Sequence, residues 1–165
     1  KVLVEQAINN PREVEISILG NEKPIASKLG GVRVPKGDAF YDYENKFVDA
    51  SGVVFDLPVI LPEKLTREIT EMALKAYKAL DMKGLARIDF LVDENDVPYL
   101  GEPNTLPGFT NISLYPQMWS VSGIDYSTLI DKLIELGIEE FNHRSKIKYS
   151  FKELGEEHVG KKEYH

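Results

Sequence analysis

Two apolar runs, residues 85–92 and 97–101, stand on either side of the tetrad Asp93-Glu94-Asn95-Asp96, and an antiparallel hairpin is the arrangement that this order predicts. A hairpin symmetric about Asn95-Asp96 sets Asp89 opposite Glu102 and Arg87 opposite Asn104. Side chains alternate along a strand, so Arg87, Asp89, Glu102 and Asn104 project to one side while Ile88, Phe90 and Val92 project to the other. Two carboxylates and an amide oxygen then fall within one cross-strand step of about 5 Å. That donor set suits hard cations such as Mg²⁺, which take a few protein oxygens and complete their shell with water and substrate phosphate. Taken alone, the pattern also describes a solvated polar strand face, which is the commoner use of such a face.

The rest of the chain predicts an α+β arrangement around this hairpin. Residues 2–8 and 13–19 alternate apolar with polar positions and are separated by Asn9-Asn10-Pro11, which predicts a first hairpin. Residues 23–34 continue the meander. From Pro35 to about Gly52 the chain is rich in Tyr, Asp and Asn and has no regular period, so a long loop is expected; Phe40, Tyr41, Tyr43 and Phe47 argue against disorder there. Leu61-Pro62-Glu63 opens a helix with Ile69, Met72, Ala73, Ala76, Tyr77 and Leu80 at helical spacing and Gly84 just beyond it. A last helix over residues 126–141 carries Leu129, Ile130, Leu133, Ile134 and Leu136, a stripe expected to pack into the core. Between hairpin and last helix, Asn104-Thr105-Leu106-Pro107-Gly108-Phe109-Thr110 leads from Glu102 to Ser113, which can cap a short helix. Such a loop can aim backbone N–H groups at an anion, and a serine-capped helix start suits a carboxylate; a plain turn is the alternative.

Composition excludes several classes. The 165 residues are 42% hydrophobic and 28% charged, which fits one globular domain. Runs such as Val53-Val54-Phe55 and Pro58-Val59-Ile60-Leu61 fall far short of the roughly 20 apolar residues a membrane helix needs, so no membrane partner is expected. There is no cysteine, hence no disulfide framework or thiolate metal site, and a cytoplasmic location is the simplest expectation. With 27 acidic against 20 basic residues the net charge is −7, which opposes nucleic-acid binding by a general field and requires any phosphate to meet local positive charge. The chain opens Lys1-Val2-Leu3-Val4-Glu5 as if already inside a strand, and it reads as a fragment of a longer protein.

Other motifs carry less. Asp93-Glu94-Asn95-Asp96 does not extend to a calcium loop, because Pro98 and Asn104 stand where glycine and glutamate are needed. Gly30-Gly31-Val32-Arg33-Val34-Pro35-Lys36-Gly37 lacks the order of a P-loop and reads as a strand and its end. His143, His158 and His165 lie in a polar tail without helical pairing, and Met118 and Trp119 read as core or domain-contact residues.

Gly84-Leu85-Ala86-Arg87-Ile88-Asp89-Phe90, then Tyr99-Leu100-Gly101-Glu102-Pro103 running into the 104–110 loop, and Ser113-Leu114-Tyr115-Pro116 together resemble the signature of D-alanine:D-alanine ligases, which are ATP-grasp enzymes. The resemblance extends to Glu13-Val14-Glu15 through Leu19-Gly20 and to Phe40-Tyr41-Asp42-Tyr43-Glu44-Asn45-Lys46-Phe47. It covers residues 1–142 as the ATP- and metal-binding C-terminal domain and leaves 143–165 as a polar tail. It implies an α+β ATP-grasp domain with an antiparallel sheet, helices packed on one side, and a loop at about residues 35–52 closing over phosphates.

The resemblance further implies that ATP phosphorylates the carboxylate of a first D-alanine and that a second D-alanine or D-lactate attacks the acyl phosphate, for peptidoglycan precursor synthesis, cell-wall biogenesis and cell shape. It makes Asp89, Glu102 and Asn104 ligands of two Mg²⁺ ions, with Mn²⁺ a possible substitute. Arg87 and the backbone N–H of Gly108 become stabilisers of the tetrahedral oxyanion. Lys46 falls on the ATP phosphates, Glu5, Gln6, Ala7 and Ile8 on the adenine linker, Glu13 on the ribose, and Phe40 and Leu91 on the base pocket. Ser113 and Leu114 receive the second substrate's carboxylate. The first D-alanine site belongs to the missing N-terminal part, the fragment alone is expected to be inactive, and the full-length enzyme is expected to form a homodimer.

Three departures stand out. The segment between Glu5 and Glu13 is one residue longer than in many relatives. Pro103 replaces a simple aliphatic residue and should sit where the strand needs no donor. Phe47 stands where dipeptide-forming members carry Tyr, and in the family Phe there marks makers of D-alanyl-D-lactate, so Phe47 is expected to touch second-substrate selection. The competing readings are an ATP-grasp ligase for another carboxylate, which the Ser113-Leu114 match disfavours, and a non-catalytic nucleotide-binding module, which the retained Lys46, Arg87, Asp89, Glu102 and Asn104 disfavour.

Overall fold

The computed structural model describes residues 2–33, 54–110 and 112–147. Alternation in the sequence gives β1 (Arg12–Leu19) two unlike faces: Val14, Ile16 and Ile18 point one way, Glu13, Glu15 and Ser17 the other. β1 is the axis of a six-stranded antiparallel sheet. It pairs with β2 (Ile25–Ala26) and β3 (Gly30–Arg33) along one edge and with β5 (Leu85–Val92) along the other. β4 (Val54–Asp56) extends the sheet beyond β3, and β6 (Pro98–Asn104) beyond β5, in the order β4-β3-β1-β5-β6 with β2 off this path. Both prolines of β6, Pro98 and Pro103, therefore lie on an edge strand, where a missing N–H is tolerated.

The apolar face of β1 and β5 is covered by α1 (Glu63–Ala79). Its buried residues Leu65, Ile69, Ala73 and Tyr77 recur every fourth position and meet Val14, Ile16, Ile18, Ala86, Ile88, Phe90 and Val92 in the main core. The Tyr77 hydroxyl donates to the Gly20 carbonyl at 2.8 Å, satisfying the one polar atom this face buries from the helix. The helix ends before Gly84. Asp81, at φ +50°, occupies the left-handed position of a Schellman motif, closed by Asp81 N–H to Lys78 O and Met82 N–H to Tyr77 O. Leu80 is consequently the C-cap and is exposed.

Two further helices gather at one end of the opposite face. α2 (Leu114–Val121) and α3 (Tyr126–Arg144) enclose Leu19, Tyr115, Trp119 and Leu129, with Phe109, Ile124, Leu133 and Leu136 around them. Gly30 lets α2 close on β3: a Cβ there would lie 3.1 Å from the Met118 sulfur. The expected α+β fold with an antiparallel sheet is present; packing on one side describes α1, whereas α2 and α3 meet the other face at its Leu19–Leu85 end. Met118 and Trp119 are core residues, as read from the sequence.

Three expectations are corrected. Residues 2–8 form no strand and no hairpin with β1: Val2, Leu3 and Val4 are almost fully exposed, because β1 already has partners on both edges and alternation without a free edge makes no strand. The α3 stripe is divided. Leu129 is buried, while Ile130, Ile134, Ile138 and Phe141 are exposed, since contact runs through the neighbouring line of Leu129, Leu133 and Leu136 and through Asn21 Nδ2, which donates to Leu136 O at 3.0 Å. α3 ends at Arg144.

The third correction is the register of the β5–β6 hairpin. Arg87 faces Asn104 and Ile88 faces Pro103 as expected, but Phe90 faces Leu100 and Leu91 faces Tyr99, so a bulge lies between Ile88 and Phe90. Its origin is the turn: Asp93 N–H donates to Val97 O, closing a three-residue loop in which Asp96 takes φ +61°, and the surplus residue is absorbed where Gly101 and Glu102 oppose Asp89. A Cβ on Gly101 would lie 3.1 Å from the Asp89 carbonyl oxygen, a tight contact against backbone that the strand pairing leaves little room to give. Gly101→Ala is expected to lower stability by about 1 to 3 kcal/mol. Gly137→Ala in α3, where an added Cβ meets nothing within 4 Å, should raise it by up to about 1 kcal/mol. Urea midpoints of the two variants moving in the same direction would contradict this assignment.

Candidate active site

Where α2 and α3 stop covering the second face, β1, β5 and β6 leave a polar strip. Strand alternation puts Glu13, Glu15, Arg87, Asp89 and Leu91 on it, with Glu15 directly opposite Asp89 and Glu13 opposite Leu91. Arg87 is its hub. The guanidinium forks the Asp89 carboxylate, Nε to Oδ1 at 2.8 Å and Nη2 to Oδ2 at 2.9 Å, and Nε also lies 2.9 Å from Glu15 Oε2. The three side chains are 13%, 21% and 10% exposed for Arg87, Asp89 and Glu15, so these contacts are shielded from water. Burial weighs against the guanidinium charge, but the hydrogen bond to Asp89 and the charges of Glu15, Asp89 and Glu102 outweigh it and hold the Arg87 pKa above its ordinary value. Glu102 is exposed and stands, with Gly101, opposite Asp89 at the bulge.

The 104–110 loop is built to a fixed shape at the end of this strip. Asn104 Oδ1 accepts from Leu106 N–H at 3.0 Å, turning the chain at the strand end. Phe109 then wedges between Tyr115 and Tyr126, with ring centroids 5.7 Å and 5.5 Å away, and its carbonyl accepts from the Tyr126 hydroxyl at 3.0 Å. Gly108 is held between these anchors, so close to α2 that a Cβ would lie 2.9 Å from Ser113 Oγ. Ser113 is the N-cap residue of α2, but its side chain makes no capping bond. Its Oγ instead accepts from Thr110 N–H at 3.0 Å and pairs with Thr110 Oγ1 at 2.8 Å, because the short link between loop and helix brings Thr110 nearer than the helix N–H groups. Leu114 turns into the core against Val32 and Met118.

The donor chemistry at the strip fits a hard cation. Asp89, Glu102 and Asn104 offer oxygen alone, Glu102 is exposed, and Asn104 is half-buried. Among the described residues no group of three or more His, Cys, Asp or Glu side chains forms a metal site, so a cation here would rely on two carboxylates, an amide and outside ligands, as Mg²⁺ commonly does. Both Asp89 oxygens are engaged by Arg87, and a cation would have to share or displace that fork.

Of the other residues singled out from the sequence, Glu5, Gln6 and Ala7 are exposed, Ile8 is half-buried, and Glu13 and Leu91 are half-buried opposite each other. Phe40, Lys46 and Phe47 lie outside the described residues, as do the 35–52 loop and the tail from residue 148 on. His143 is exposed in the last turn of α3. Sequence reading missed Glu15 as a site residue. The available signal was a second acid, after Glu13, on the polar side of an alternating strand; only the pairing of β1 with β5 shows that it faces Arg87.

The family model described as D-ala D-ala ligase C-terminus matches residues 1–135. D-alanine–D-alanine ligases of Limosilactobacillus fermentum and Limosilactobacillus reuteri are 76% and 77% identical over 164 residues, 99% of this chain, and the chain spans 44% and 43% of their length. Among solved structures, the D-alanine-D-alanine ligase from Coxiella burnetii superposes with a TM-score of 0.72 at 36% identity, covering 86% of this chain and 36% of that one. The VanG D-Ala:D-Ser ligase from Enterococcus faecalis superposes with a TM-score of 0.64 at 31% identity, covering 77% and 36% respectively. A D-alanine–D-alanine ligase from Bacillus anthracis complexed with ATP does so at 0.64 and 28%, covering 81% and 40%. With the family model matched over most of its length and the polar strip laid out on the same fold, the chain belongs to the D-alanine–D-alanine ligase family, as its C-terminal ATP-grasp domain.

Proposed function

We propose that the full-length protein carrying this chain is an ATP-dependent ligase that joins D-alanine to a second D-alanine or to D-lactate, supplying a peptidoglycan precursor in the cytoplasm. The observation that carries this reading is the buried Arg87 hub beside the Asp89, Glu102 and Asn104 oxygens, with the Phe109-anchored Gly108 loop at its end. The family membership supports it, and the remainder of the protein would hold the first D-alanine and complete a homodimer. On this reading the described chain alone is inactive.

In the first step a carboxylate oxygen of D-alanine attacks the γ-phosphorus of ATP, and the bond to ADP breaks to leave an acyl phosphate. In the second, the amine or hydroxyl of the second substrate attacks the acyl carbon, loses its proton, and inorganic phosphate departs. Two Mg²⁺ ions, or Mn²⁺ in their place, held by Asp89, Glu102 and Asn104, would offset phosphate charge. Arg87 and the Gly108 N–H bind the oxyanion that develops at the acyl carbon, and the carboxylates around Arg87 hold the guanidinium in place for that task. Glu5, Gln6, Ala7 and Ile8 line the adenine, Glu13 takes the ribose, Leu91 with Phe40 walls the base pocket, and Lys46 meets the phosphates. Ser113 and Leu114 receive the second substrate's carboxylate at the start of α2.

Phe47 favours D-lactate as the second substrate, since a tyrosine hydroxyl there would add a hydrogen bond that phenylalanine lacks. One such bond is worth about 0.5 to 1.5 kcal/mol, or roughly 2- to 10-fold in the choice between nucleophiles. Mass spectrometry of products from the full-length enzyme with Mg²⁺, ATP and D-alanine, with and without D-lactate, tests both levels. An ester product is expected, shifted toward the dipeptide by Phe47→Tyr; an unchanged ratio removes the role of Phe47, and neither product revives a ligase for another carboxylate. Glu102→Ala is expected to cut turnover roughly 100-fold or more, whereas retained turnover would contradict the ligand assignment.

A further inference from the structure

We propose that Glu15 is a positioning residue that keeps Arg87 in place when Asp89 turns to a divalent cation. The inference rests on the metal assignment just made and adds a residue that the family resemblance does not place in the site. Glu15 sits in the middle of the central strand, directly opposite Asp89, with Oε2 2.9 Å from Arg87 Nε. Its side chain is 10% exposed, and a carboxylate held that far from water is costly unless a counter-charge meets it.

The geometry around Arg87 explains why a second acid is needed. The guanidinium spans both oxygens of Asp89. A cation bound at Asp89 takes at least one of those oxygens and repels the guanidinium. Were Asp89 its sole anchor, Arg87 would either hold Asp89 back from the cation or swing away from the Gly108 loop. Glu15 Oε2 already lies at ion-pair distance, 2.9 Å, from the Nε whose hydrogen goes to Asp89 Oδ1, so the guanidinium can release one Asp89 oxygen and keep a counter-charge beside it. Glu15 thus lowers the competition between arginine and cation for a single carboxylate, which is the usual effect of an outer partner on a metal site.

Glu15→Gln keeps the shape and removes the charge. In the full-length protein with ADP, Mn²⁺ affinity read by electron paramagnetic resonance of the free ion should weaken about 10-fold in this variant, with the thermal unfolding midpoint recorded alongside. Arg87→Lys provides the control, because an ammonium cannot fork both Asp89 oxygens yet still neutralises Glu15. In that background the added Glu15→Gln change should alter Mn²⁺ affinity by less than about 2-fold, the limit of independent behaviour. An equal loss in both backgrounds would mean that Glu15 acts on the cation by its charge alone and would overturn the proposal, as would no loss in the native background. Failure of the native protein to bind Mn²⁺ with ADP would overturn the metal assignment and this inference together, whereas native binding with an unaffected Glu15→Gln variant overturns this inference alone. If Glu15→Gln does not fold, Glu15→Asp, which keeps the charge and withdraws it from Nε, is read by the same criteria.

Discussion

The pairing of β1 with β5, continuous from Arg12↔Val92 to Leu19↔Leu85, is the contact on which the other features depend. Because both strands alternate, one register builds two environments at once. Val14, Ile16 and Ile18 join Ala86, Ile88, Phe90 and Val92 beneath α1, and the same pairing brings Glu15 against Asp89 and Arg87 on the reverse side. A slip of one residue would exchange these sets, burying charge in the core and exposing the apolar residues. The stability of the core therefore enforces the register of the polar strip, and the strip needs no separate device to hold its strands in line.

That coupling also explains how a cluster of like charges is tolerated. Glu15, Asp89 and Glu102 would repel one another in the absence of Arg87, and Arg87 would be costly to bury without them. Burial opposes the guanidinium charge, and the hydrogen bond to Asp89 with the charges of Glu15, Asp89 and Glu102 overrides it, so the Arg87 pKa stays above its ordinary value. The bulge at Asp89 and the approach of Gly101 to its carbonyl add to the strip's asymmetry: Arg87 keeps its partner Asn104 in simple register, while Asp89 meets two residues of β6.

Much of this was legible in the sequence, and the exceptions have physical causes. The β5–β6 hairpin, α1, and the shared face of Arg87 and Asn104 follow from alternation, helical period and turn residues, which are local. The bulge was hidden because the turn could close on three or four residues with the same composition, and only the hydrogen bond from Asp93 N–H to Val97 O decides. Residues 2–8 have the pattern of a strand, but β1, the neighbour they were expected to pair with, has both edges occupied. Glu15 looked like half of an alternation, since its partner across β5 lies 74 positions along the chain in a pairing no local signal announces. In α3, Ile130 and Leu129 are adjacent apolar residues, and period alone does not tell which of two neighbouring stripes meets the sheet. Lys46, Phe40 and Phe47 remain readings of the resemblance.

On the proposed function, the oxygen face of β5 and β6 is a cation site governed by Arg87. A crystal structure of the full-length protein with ADP and Mn²⁺, with the ion located by its anomalous signal, tests it most directly. Mn²⁺ is expected on oxygens of Asp89, Glu102 and Asn104, with Arg87 released from one Asp89 oxygen and still held by Glu15. Manganese bound to ADP away from these three side chains, with the Arg87–Asp89 fork intact, would contradict it.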